Sequence, residues 1–218
     1  MASDIMVDLI AGFRGAGKTT LLLRMAEQLW QGQRVVLLIN ERGTSAPPQA
    51  VLPAGCTIVE WQSGCLCCSA SALLAQSLSE LTQNYQPDRI VVELAETARI
   101  ADVKAAFEAM DLAFFQIEHI IYVLSAKSFV CKWELSAGFM SRQLKDSPVV
   151  WMTHTENSSQ SLRSRITQVI SENNPRCVIM DSDNEITELY RKSALHKRLV
   201  FHSTPAKPAR TYSGFWKA

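Results

Sequence analysis

Three short stretches of this chain hold residue types whose spacing could do chemistry. In "GFRGAGKTT", residues 12–20, Gly12, Gly17, Lys18 and Thr19 satisfy the pattern G-x-x-x-x-G-K-[ST]. Glycines let such a loop curl until its backbone N–H groups converge on phosphate oxygens, and the helix that follows adds the positive end of its dipole. Arg14, Gly15, Ala16 and Thr20 belong to the same cradle, while Lys18 reaches the β- and γ-phosphates and Thr19 ligates Mg²⁺. Magnesium held this way needs an acid at the end of a nearby strand. "RIVVEL" supplies Glu93, which without the loop would be an ordinary strand-end carboxylate. Glu41, in "LLINERG", is a further acid at a strand end, able to bind Mg²⁺ through water or to help hold a second metal.

The third stretch is "SGCLCCSA", which sets Cys65, Cys67 and Cys68 within four positions of one another. Thiolates are soft and suit Zn²⁺ and other late divalent ions, and three on one loop leave a position for an oxygen donor or a receiving protein. Cys67 and Cys68 are adjacent, so in an extended chain their side chains diverge; only a tight turn, which Gly64 permits, brings both to one ion. Ser69 and the Ala and Leu residues after it look like a helix start, and a helix N-terminus favours the thiolate that metals and oxidants both require. The spacing by itself leaves three readings: a metal site, buried thiols, or a redox device.

These residues have to be carried by strands and helices in the right order. Strands are expected at Met6 to Ala11, Arg34 to Asn40, Cys56 to Trp61, Arg89 to Leu94, His119 to Leu124, Pro148 to Thr153 and Arg176 to Met180. Several are continuous Val- and Ile-rich runs, the pattern of strands covered on both faces of a parallel sheet. Helices are expected at Thr19 to Trp30, Ala70 to Asn84, Asp102 to Met110 and Gln160 to Asn173. The alternation predicts an α/β fold, a P-loop NTPase three-layer sandwich with a mostly parallel central sheet and its ligand at the carboxyl ends of the strands. Residues 1–182 are read as the nucleotide-binding domain. Residues 183–218, which end in the basic "HKRLVFHSTPAKPARTYSGFWKA", are read as a C-terminal tail or docked extension, one strand at most.

Composition narrows the function classes. Lys and Arg total 22 against 21 acidic residues, so the net charge of +1 gives no reason to expect a nucleic-acid partner. Asp4 and Asp8 interrupt the first apolar run, no leader-like segment is read, and no stretch approaches the ~18 apolar residues of a membrane helix. A cytoplasmic protein is expected. Its six cysteines do not form a small secreted disulfide scaffold, and Cys56, Cys131 and Cys177 stand alone as core or surface thiols.

Taken together, the motifs resemble those of the CobW-type P-loop GTPases, relatives of the nickel-insertion GTPases of urease and hydrogenase. "GFRGAGKTTLL" is close to that family's GFLGAGKTTLL, "INERG" resembles its NEFG, and "GCLCC" its GCICC, in the same order and over roughly residues 5–180. The resemblance implies that GTP and Mg²⁺ order switch segments, that Cys65, Cys67 and Cys68 hold a transferable metal, and that hydrolysis releases it to a metalloenzyme or corrinoid-pathway client. Two signatures differ. Glu96, in "ELAETARI", replaces the glycine whose N–H meets the γ-phosphate in the family, and "THTEN" stands where guanine is read by N-K-x-D. Thr153, His154 and Glu156 therefore take the places of Asn, Lys and Asp; Glu156 keeps a carboxylate for the base and His154 could stack on it. GTP or GDP is the expected nucleotide, ATP is the rival, and hydrolysis is expected to be slow. The family's larger members carry a further C-terminal domain; without one, the client is met by this domain, by the tail, or by a homodimer partner. A small-molecule phosphotransferase or ATPase and a non-catalytic nucleotide sensor are the competing classes.

Overall fold

The computed structural model of this 218-residue protein describes residues 5–39, 52–60, 70–109 and 114–201. Among them, seven strands run β1 (Ile5–Ala11), β2 (Val35–Ile39), β3 (Cys56–Glu60), β4 (Arg89–Glu93), β5 (Phe115–Ser125), β6 (Val149–Thr153) and β7 (Val178–Met180). They form one sheet in the order β3-β2-β4-β1-β5-β6-β7, and every neighbouring pair is parallel. The helices are α1 (Lys18–Leu29), α2 (Ala70–Tyr85), α3 (Ile100–Ala109), α4 (Phe129–Lys145), α5 (Gln160–Asn173) and α6 (Asp183–Phe201).

Side chains alternate across each strand, so β1 feeds two cores. Val7, Leu9 and Ala11 pack with Leu78, Phe107, Phe129, Leu144 and Ile166 from α2, α3, α4 and α5. On the other face Ile10 packs with Leu22, Met25 and Trp30 and with Ile186 and Tyr190 of α6. The result is the expected three-layer sandwich, with a sheet that is wholly rather than mostly parallel. Each buried aliphatic side chain contributes roughly 1.5–3 kcal/mol.

All seven expected strands are present, β5 starting at Phe115 instead of His119. Two helices depart from expectation. α4 buries only Phe129, Met140, Gln143 and Leu144 and is broken by a non-helical Ser136 (φ −146°, ψ 30°), so no unbroken 3.6-residue stripe exists to be read. α6 corrects the reading of 183–201 as a tail or docked strand: this stretch is a helix seated on the core through Ile186 and Tyr190. A start signal was there in Ser182-x-x-Glu185, where Glu185 Oε2 accepts from the Ser182 backbone N–H at 3.1 Å.

A buried polar knot holds α6 down. The β1–β5 register skips Glu118, pairing Val7 with Ile117 and Asp8 with His119, and this bulge re-aims side chains around Asp8. Asp8 accepts from Arg89 Nη1 (2.5 Å) and Tyr190 Oη (2.9 Å), and its other oxygen lies 3.1 Å from His119 Nδ1. His119 Nε2 is in turn 3.0 Å from Ser193 Oγ of α6. Asp8, Glu118 and His119 come together closely enough to hold a cation. Arg89 already supplies one, donating to both carboxylates. Burial would raise the Asp8 pKa, but the His119 hydrogen bond and the Arg89 charge outweigh it and hold it below the ordinary carboxylate value.

Candidate functional site

The glycine-rich loop leaves the carboxyl end of the central strand β1 and runs into α1, the position at which open parallel sheets bind ligands. Its shape depends on glycine. Gly12 (φ 139°) lies so close to β5 that a Cβ would sit 2.3 Å from the Val123 carbonyl oxygen. Gly17 (φ 98°) caps α1 without a side-chain hydrogen bond, and the first turn of α1 carries no acidic residue, which leaves the positive end of its dipole facing the loop. Ala16 is buried, closing the loop with a 3.1 Å hydrogen bond to the Phe13 carbonyl, while Arg14, Gly15 and Thr20 are exposed.

Lys18 is 2% exposed and folds back over the loop, its Nζ donating to the carbonyls of Gly12 (3.1 Å) and Phe13 (3.3 Å) and lying 3.8 Å from Glu93 Oε1. Thr19 Oγ1 donates to Glu93 Oε2 at 3.1 Å. Glu93, fully buried at the end of β4, is therefore brought against Lys18 and, across 74 positions of sequence, against Thr19. A hydroxyl and a carboxylate side by side are hard oxygen donors, the chemistry that suits Mg²⁺.

"THTEN" begins at Thr153, the last residue of β6, and that end of the strand lies beside the loop. Thr153 Oγ1 donates to the Ala16 carbonyl at 2.7 Å, bracing the two segments. His154 takes a left-handed backbone (φ 55°), its ring exposed and its Nδ1 within 3.1 Å of Ser125 Oγ and 3.0 Å of Thr153 Oγ1. Glu156 is exposed two residues further on. Arg163 donates to the Thr155 carbonyl, and Ser159 caps α5 by accepting from the Leu162 N–H, which fixes the end of the segment.

Sequence reasoning missed the bracing role of Thr153 and missed Gln143 altogether. Buried in α4, Gln143 donates to the Ala98 carbonyl (2.8 Å) and accepts from the Ile100 N–H (3.0 Å), clamping the segment after β4. A glutamine in an unpredicted helix gave no signal of this. Glu41, Cys65, Cys67 and Cys68 lie outside the described residues. Of the lone cysteines, Cys56 is buried, Cys131 exposed and Cys177 between the two, with burial pushing the Cys177 thiol up to about 11. No helix among the described residues is long and apolar enough to cross a membrane.

Fold and loop geometry together place the chain in the class of P-loop nucleotide-binding domains. Within that class, the family model described as "CobW/HypB/UreG, nucleotide-binding domain" matches residues 6–181, and the chain belongs to this family. It is 32% identical over 116 residues to "Zinc chaperone CobW" of Sinorhizobium sp, covering 50% of this chain and 32% of the relative. Against "Zinc chaperone YjiA" of Escherichia coli it is 37% identical over 97 residues, 42% of this chain and 30% of the relative. The "Zinc-regulated GTPase metalloprotein activator 1" of Schizosaccharomyces pombe is 27% identical over 178 residues, 76% of this chain and 43% of that protein. The chain thus spans about a third of the length of the bacterial relatives it matches. Zn(II)-bound YjiA GTPase from E. coli superposes with a TM-score of 0.64 at 20% identity, over 83% of this chain and 58% of that one. HypB from Helicobacter pylori in complex with nickel gives 0.63 at 13% identity, over 94% and 92%. At those identities the likeness establishes the fold alone.

Proposed function

We propose that this chain is a guanine-nucleotide-dependent metallochaperone domain. It binds GTP or GDP with Mg²⁺, hydrolyses GTP slowly, and handles Zn²⁺ or another late divalent ion through Cys65, Cys67 and Cys68 for a metalloenzyme or corrinoid-pathway client in the cytoplasm. The observation that carries the nucleotide half is the approach of Thr19 to Glu93 at 3.1 Å beside the buried Lys18. Lys18 and the loop amides stabilise phosphate charge, and Thr19 with Glu93 would hold Mg²⁺, which when bound neutralises the charge between the last two phosphates. His154 and Glu156 are the residues assigned to the base. The metal half is supported by the relatives named zinc chaperones, with the metal as cargo.

A non-catalytic nucleotide-binding regulator is the second reading. It is favoured by the hydrogen bond that the Arg14 backbone N–H donates to Glu96 (3.0 Å), which sets a carboxylate against the phosphate loop. The deciding experiment titrates reduced protein with Co²⁺ and follows thiolate-to-metal charge-transfer absorption, with Mg²⁺ and either a non-hydrolysable GTP analogue or its ATP counterpart. The proposal expects strong absorption that depends on the GTP analogue and is lost in the Cys65→Ser, Cys67→Ser, Cys68→Ser triple variant. Absorption that is absent with both nucleotides, or unchanged in the triple variant, would sink the metal half.

A further inference from the structure

The segment after β4 approaches the phosphate loop through one side chain. Glu93 closes β4, the Leu94 N–H donates to the Ile10 carbonyl (2.8 Å), and a turn closed by the Ala98 N–H on the Ala95 carbonyl (2.9 Å) carries Glu96. Gln143 then grips the far side of that turn at Ala98 and Ile100. The backbone carrying Glu96 is thus fastened at both ends, and from it the half-buried Glu96 reaches across 82 positions of sequence to accept from the Arg14 N–H at 3.0 Å.

Arg14 lies on the arm of the loop that leaves β1, where backbone N–H groups serve as phosphate donors. Thr19 and Glu93 would hold the Mg²⁺ that, when bound, offsets the charge of a triphosphate's last two groups. Glu96 is the third residue after Glu93, so a terminal phosphate held next to an ion on Thr19 and Glu93 would meet the segment that carries it. A carboxylate oxygen is chemically close to a phosphate oxygen: both are anionic acceptors for an amide. The two cannot share one N–H at hydrogen-bond distance, and two anions at such range repel.

We propose that Glu96 selects the nucleotide state. Its carboxylate holds the Arg14 amide in place of a terminal phosphate oxygen, so the chain takes a nucleoside diphosphate in preference to a triphosphate. A diphosphate leaves the Glu96–Arg14 contact intact, whereas a triphosphate must first displace the carboxylate. This inference rests on the nucleotide-binding reading above and adds to it the residue that determines which phosphate count is accepted.

The test measures dissociation constants of the full chain for GDP and for a non-hydrolysable GTP analogue, both with Mg²⁺, by displacement of a fluorescent nucleotide. Wild type, Glu96→Gln and Glu96→Ala are compared, and a diphosphate affinity kept within roughly twofold in the variants shows that their loops are still formed. The expected result is diphosphate tighter than triphosphate by about tenfold or more in wild type. Glu96→Ala should abolish that preference, and Glu96→Gln, which keeps an acceptor but no charge, should fall between. Equal affinities in wild type, or a preference that survives in Glu96→Ala, overturns the role of Glu96 and leaves nucleotide binding standing. Failure of wild type to bind either nucleotide overturns both.

Discussion

Gly12 and Gly15 sit three residues apart in one loop and tolerate change very differently. Gly15 has φ 75°, and a Cβ added there would find nothing within 4 Å, so an alanine meets only the backbone preference against left-handed angles. At Gly12 the added carbon meets the Val123 carbonyl at 2.3 Å, and neither partner is a flexible side-chain end. Gly15→Ala should therefore cost about 1 kcal/mol, from strain alone. Gly12→Ala should cost about 3 kcal/mol or prevent folding, because β1 and β5 would have to part. Urea denaturation of the two variants checks this, and equal midpoints would contradict it. Lys18 and Thr19 were legible in the sequence because the motif fixes their spacing along the chain, and Glu93 because it ends a short apolar run. The bond from Thr153 to Ala16 and that from Arg14 to Glu96 were not, since each depends on how closely two segments distant in sequence approach.

At the scale of elements, α6 shows what periodicity conceals. Ile186, Tyr190 and Ser193 do lie at helical spacing, but two of the three meet buried polar partners: Tyr190 bonds Asp8 and Ser193 bonds His119. Asp8 is the hub, with its carboxyl held below the ordinary value despite burial by His119 and Arg89. A carboxyl with a lower pKa folded than unfolded contributes stability that is fully present above about 3.9, the unfolded value, and is lost as pH falls through the folded one. Removing the charge at neutral pH should cost about 3 kcal/mol, since Arg89 and Tyr190 lose a buried partner. Urea midpoints of wild type and Asp8→Asn should thus differ fully from pH 7 down to about 4 and converge below it, as pH falls through the lowered Asp8 value. A constant difference would show that the ionised carboxylate is not what secures α6.

For the whole molecule, nucleotide occupancy should register as stability, because a ligand that binds only the folded state stabilises it by mass action. At a hundredfold excess over its dissociation constant, GDP with Mg²⁺ should add about 2.7 kcal/mol and raise the melting temperature, and Lys18→Ala should abolish the increase. A melting temperature indifferent to nucleotide in wild type would speak against the assigned loop function. By itself the sequence determined the strand–helix alternation, the glycine-rich G-x-x-x-x-G-K-T loop at the end of β1, the carboxylate closing β4 and the family, because these are written in local apolar runs and fixed spacings. Only the tertiary structure decided that the sheet of the described residues is wholly parallel, that 183–201 is a docked helix, that Thr153 and Glu96 converge on the loop, and that Gln143 fastens the segment carrying Glu96. Those outcomes come from crossovers and a bulge that join residues tens of positions apart, and the short-range pattern of a single chain carries no record of such distances.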